Sequence, residues 1–159
     1  MIGRLKSGEV VVNRYRNHAH DGLVRLLPEA LAQIESGGRQ FFIEEVDFSR
    51  PIGETICVVT GSSDEIVYAK RPKRFGHTRF VKDRVPEPCN TVVVILKAAD
   101  GEEDAGSYVL ITAFVGQRPE PEPWDRNATA NSVAFWTSHA LIWGHEEVIP
   151  GTVTTVCPW

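Results

Sequence analysis

A chain of 159 residues, 42% hydrophobic and 24% charged, is long enough to close its own core, since a domain of this size buries about 70% of the surface its unfolded chain exposes. Its three cysteines, Cys57, Cys89 and Cys157, are odd in number, far apart and without zinc-site spacing, which argues against a disulfide framework or structural metal and for reduced thiols in a cytoplasmic protein. The formal charge of −4 conceals a separation: residues 70–84, KRPKRFGHTRFVKDR, set seven Lys or Arg against Asp83, a local +6, so the remainder sums to −10.

Residues 1–20 mix Arg4, Lys6, Glu9, Arg14, Arg16, His18 and His20 with short apolar runs, which is neither a signal-peptide core nor a membrane span. The expectation is a mature chain with no membrane association. Leu23, Leu26, Leu27, Ala30, Leu31 and Ile34 recur three and four apart, the spacing of one helical face, so a helix is predicted over 23–34, with Pro28 in its first turn or at a kink and Gly37-Gly38 as its stop. Short β-rich runs follow at 41–46, 55–60, 65–70 and 78–82, separated by Pro51, Gly53, Gly61-Ser62-Ser63 and Gly76.

TVVVILK at 91–97 and SYVLITAF at 107–114 are the strongest strands, nearly continuous in β-branched or aromatic residues, as expected where both faces are covered. The acidic stretch 98–106 between them suits a hairpin loop and hence antiparallel pairing at the centre of the sheet. Alternation along the second strand would put Tyr108, Leu110, Thr112 and Phe114 on one face. The segment 116–125, GQRPEPEPWD, is excluded from helix and central strand by three prolines that lack amide donors, and is predicted to be an extended arm. A second helix is predicted to run to about His139, capped by Asn127 or Asp125, with Ala128, Ser132, Phe135, Trp136 and His139 on one stripe. The tail holds a Gly144 break, a Pro150-Gly151 turn, the β-prone TVTTV and a closing Trp159 expected to dock. The fold class expected is α+β, an antiparallel sheet packed by both helices, and residues 1–159 are read as one domain.

The basic stretch carries the best chemical constellation. A field of one sign, screened over about 8–10 Å, attracts a polyanion locally. His77 stands beside Thr78 and two residues before Arg79, with Lys73 and Arg74 ahead and Gly76 allowing a bend. Imidazole titrates near neutrality and guanidinium matches phosphate oxygens, the parts needed to bind and activate a phosphodiester. The alternative is a turn histidine in a solvated basic loop. Thr112 is either a phosphate donor near a strand end or an ordinary β-branched residue. Tyr68 either stacks a base or sits in the core. His139 reads as a satisfied core histidine, or as a second acid or base if its helix end borders the loop. His18, His20 and His145 lack enough neighbouring ligands for a metal, and no phosphate-loop, dinucleotide or serine-hydrolase motif is present. No cofactor is expected.

The order of helix, antiparallel strands, basic His-containing segment and a late strand ending in Thr112-Ala113-Phe114 resembles the bacterial ribonuclease toxin superfamily that includes barnase, EndoU, colicin and RelE domains. The match covers roughly residues 23–114 at the level of pattern. The resemblance implies a metal-independent ribonuclease in which His77 is the acid or base and Arg79 the transition-state clamp. Lys73 and Arg74 would hold flanking phosphates, and Thr112 would donate to the scissile one. Tyr68, Lys70, Arg71 and Lys82 complete the expected RNA-binding set and His139 the catalytic one. The 116–125 arm, the FWTSHALIWG segment and the CPW ending depart from that superfamily. The competing expectation is a non-enzymatic interaction or regulatory domain whose Pro-Glu arm and Trp124 bind a protein, such as an immunity or antitoxin partner. Trp124 reads equally as an intramolecular peg for the arm.

Overall fold

The computed structural model describes residues 1–13, 21–102 and 105–159. Arg14, Arg16 and the His18/His20 pair lie outside them, as do two acids of the 98–106 loop. In chain order the elements are β1 (Gly3–Arg4), β2 (Val10–Val12), α1 (Asp21–Leu31), β3 (Phe41–Asp47), β4 (Gly53–Thr55), β5 (Cys57–Val59), β6 (Ile66–Lys70), β7 (His77–Val81), β8 (Glu87–Cys89), β9 (Thr91–Ala98), β10 (Tyr108–Val115), α2 (Ala130–Ser138) and β11 (His139–Ile142). The class is α+β. The chain, expected to form one domain, gathers into two compact units: Met1–Gly53 with Cys89–Gln117, and Glu54–Pro88 with Arg118–Trp159.

The first unit is a five-stranded sheet, β1-β2-β10-β9-β3, antiparallel except for the parallel β2–β10 pair. The predicted helical face is the one that packs: Leu23, Leu27, Ala30, Leu31 and Ile34 are buried against Phe42, Val46, Val92, Val94, Leu96, Tyr108 and Leu110. Each such aliphatic side chain contributes about 1.5–3 kcal/mol on burial. The Tyr108 hydroxyl donates to the Arg39 carbonyl at 2.7 Å, so its polar end is satisfied.

The simple alternation expected for β10 fails at one place. The register with β9 slips between Leu110 and Thr112, a bulge in which Ile111 is the extra residue. Beyond it Ala113 joins Tyr108 and Leu110 in the core against α1, and Thr112 points to the other face.

The second unit is a four-stranded sheet, β5-β11-β7-β6, with β11 antiparallel to β5 and parallel to β7. Its faces separate by parity. Phe80, Val67, Ala69 and Leu141 pack with Trp136 of α2, whereas Val58, Val81, Ala140 and Ile142 form the core of the opposite face. The helix starts later than expected. Thr129 is the N-cap, in a capping box with Ser132, because Asp125 is already used in a preceding turn, accepting from Asn127 N–H at 2.8 Å. The helix ends at Ser138, beside the expected end at about His139, and the segment that follows, HALI, is β11. His139 terminates α2 in an extended conformation and starts the strand.

Candidate nucleic-acid interface

The basic stretch folds as the β6–β7 hairpin. Register places Lys70 across from His77 and Tyr68 across from Arg79, all on one face, while Ala69 pairs Thr78 on the other. Cross-strand partners are within about 4.5–5.5 Å at Cβ, so Lys70 and His77 stand side by side at the foot of the loop. The loop begins with a Pro72-led turn in which Arg74 N–H donates to the Arg71 carbonyl at 3.2 Å and Lys73 holds φ of 62°. A left-handed residue at that position is ordinarily Gly or Asn. A lysine there costs about 1–2 kcal/mol, a strain found most often where the side chain is used.

The cations divide into two groups. Arg71 is only 16% exposed, with Nε donating to Thr78 Oγ1 at 3.0 Å and Nη2 to Glu122 Oε2 at 2.8 Å. Arg79 donates to Thr60 Oγ1 at 2.8 Å and to the His139 carbonyl at 3.0 Å. Arg84 bridges Asp64 at 3.1 Å and Glu87 at 2.6 Å, and Lys82 lies 5.5 Å over the Trp143 ring. These four are committed to the fold. Lys70, Lys73 and Arg74 have no side-chain partner among the described residues, nor does His77. Beside them Phe75 is 91% exposed. Sequence reasoning passed over this aromatic, because nothing in a basic run distinguishes an exposed ring from a buried one.

The Pro-Glu arm has neither helix nor strand over residues 117–122, turns at 123–124, and is anchored at every second residue from Glu120. The Glu120 carbonyl accepts from Trp136 Nε1 at 2.8 Å, Glu122 pairs with Arg71, and Trp124 lies flat on Gly76. Gly76 lies in a bend, as expected, and also serves this close approach: a Cβ there would overlap the Trp124 side chain. Trp124 is therefore the intramolecular peg. Its position creates a hollow of about 680 Å³, with residues 73–75 on one side and 124–127 on the other, so that Arg126 joins Lys73, Arg74 and Phe75. A smaller pocket of about 140 Å³ lies beside it, next to His77.

The remaining expected site residues fall elsewhere. Tyr68 is buried, edge-on to Trp159 at 5.3 Å, with its phenol pushed up by burial and by Cys157 while Arg79 pulls the other way. It is not a stacking platform. His139 aligns with Thr78 on the face opposite His77, stacked on Phe135 at 3.9 Å with Nδ1 3.0 Å from the Phe135 carbonyl. That is the satisfied-histidine arrangement. Thr112 belongs to the first unit and His77 to the second. Among the described residues no group of three or more His, Cys, Asp or Glu side chains is placed to hold a metal, and no helix is long and apolar enough to cross a membrane. Compared with known proteins, the chain matches no family model, no curated protein and no solved structure.

Proposed function

We propose that this protein binds single-stranded RNA through the β6–β7 loop. The observation that carries the reading is the grouping of uncommitted cations: Lys73, Arg74 and Arg126 line one hollow with a 91% exposed Phe75, and Lys70 stands at the foot of the same hairpin loop. Non-specific single-strand binding sites combine a cationic track with aromatic platforms, and base stacking is worth about 1–3 kcal/mol per base. Between three cations the exposed Phe75 ring is a platform whose ligand carries both a flat ring and negative charge.

A second reading, cleavage of the bound RNA, is favoured by the pairing of His77 with Lys70 at the loop's foot. His77 would accept the 2′-hydroxyl proton as that oxygen attacks phosphorus and return it to the departing 5′-oxygen, with Lys70 beside the phosphorane charge. Arg79 and His139, whose hydrogen bonds hold them in the fold, take no part in it.

The test is a titration of a fluorescent single-stranded RNA 12-mer, its duplex, and a DNA 12-mer in EDTA, with products also run on a denaturing gel. The expected result is salt-sensitive binding of the single strand that weakens about ten-fold in Phe75→Ala. Cleavage lost in His77→Ala supports the second reading. Absence of binding at low salt refutes both and assigns the loop to a protein partner.

A further inference from the structure

From the pocket next to His77 we infer that the second unit holds a slot for one pyrimidine base of the bound strand, an inference that rests on the RNA reading above. Gly76, His77, Pro123, Trp124, Pro158 and Trp159 enclose about 140 Å³. An apolar cavity of about 150 Å³ accepts benzene, so this half-open space seats one six-membered ring, and a fused purine would leave its second ring outside the walls. Two indoles and two prolines make the walls apolar, as the faces of a base require. The ring nitrogens of His77 and the buried Trp124 Nε1–H have no partner among the described residues, and His77 is available to the hydrogen-bonding edge of a base.

The walls are built before any ligand arrives. Trp124 is seated on Gly76. Trp159 stands edge-on to Tyr68, and its segment is held by the Tyr68–Thr154 pair, whose two backbone hydrogen bonds are each 2.8 Å. A preformed aromatic slot loses little entropy on binding. Its position decides the class of ligand. Lys70, across from His77, and Lys73 and Arg74, one turn along the loop, lie where phosphates flanking a seated base would run.

The experiment compares U8, C8 and A8 RNA at one salt concentration by anisotropy, for the full chain and for Trp124→Ala and Trp159→Ala. Trp159→Leu, which keeps an apolar plug without a stacking face, replaces Trp159→Ala if circular dichroism shows the tail undocked. The expected result is pyrimidine binding about ten-fold tighter than A8, a preference that collapses toward unity in the tryptophan variants while the salt dependence persists. A8 bound as tightly as U8, or a preference that survives in both tryptophan variants, overturns the slot and leaves RNA binding standing. No binding of any oligomer overturns both.

Discussion

The buried ion pair that holds the arm is the point at which a single substitution has the largest calculable effect. Arg71 and Glu122 are 16% and 9% exposed and 2.8 Å apart, and Glu122 Oε1 already lacks a partner. Arg71→Met leaves a buried carboxylate unpaired and takes from the fully buried Thr78 hydroxyl its guanidinium donor. Breaking a buried pair from one side costs about 3–5 kcal/mol, and losing the longer 4.0 Å contact from Arg71 to the 38% exposed Glu146 adds little to it. The expected loss is about 3–4 kcal/mol. With a urea slope of about 1–3 kcal/mol/M, the midpoint falls by roughly 1–4 M. Glu122→Gln, which keeps one acceptor for Arg71, costs about 1–2 kcal/mol. The double variant Arg71→Met/Glu122→Leu is far less damaged than the sum of the single losses, because no charge is left stranded. Tryptophan fluorescence reads this cleanly: all four tryptophans, Trp124, Trp136, Trp143 and Trp159, lie in the second unit. A loss below 1 kcal/mol for Arg71→Met, the range of exposed pairs, refutes the reasoning.

Cys57, pushed up to about 11 chiefly by burial and then by Glu122, is expected to resist a thiol reagent at pH 8 while exposed Cys157 reacts, as peptide mass spectrometry will show. Because the unfolded thiol ionises first, Cys57 also removes stability as pH rises above its ordinary value, and Cys57→Ala should flatten the alkaline limb of the urea midpoint. Asp64 is held below the usual carboxylate range by the Gly61 N–H at 2.8 Å and by Arg84. Its stabilisation is present above the ordinary carboxyl value and lost as pH falls through the lowered one, so Asp64→Asn should flatten the acid limb.

The strands and helices were legible where periodicity was strong. The 23–34 stripe, TVVVILK and the β-rich runs at 41–46 and 65–70 became α1, β9, β3 and β6 within a residue or two at most boundaries. What escaped was tertiary. HALI carries helical spacing with Phe135 and Trp136, yet pairs between two strands as β11, and the bulge at Ile111 has no local signal in a run of β-branched, aliphatic and aromatic residues. The division into two units was also hidden, because the chain passes between them three times, at 53/54, 88/89 and 117/118, and the prolines and glycines at those crossings read equally as turns within one domain. For the site, the charge run located the loop but not its division: which cations are committed depends on carboxylates and carbonyls as distant as Glu122, and which aromatics are free depends on where the arm lands.

The most direct test of the central claim is the salt dependence of binding to a single-stranded RNA 12-mer. Four uncommitted cations, Lys70, Lys73, Arg74 and Arg126, imply a log–log slope of about −2.8 at roughly 0.7 per phosphate on a single strand, a loss of about 50-fold in affinity between about 50 and 200 mM salt. Lys73→Gln/Arg74→Gln should halve that slope, to a loss of about 7-fold over the same range. A slope indifferent to that double substitution, or no binding at the lower salt, contradicts the assignment of the β6–β7 loop to RNA.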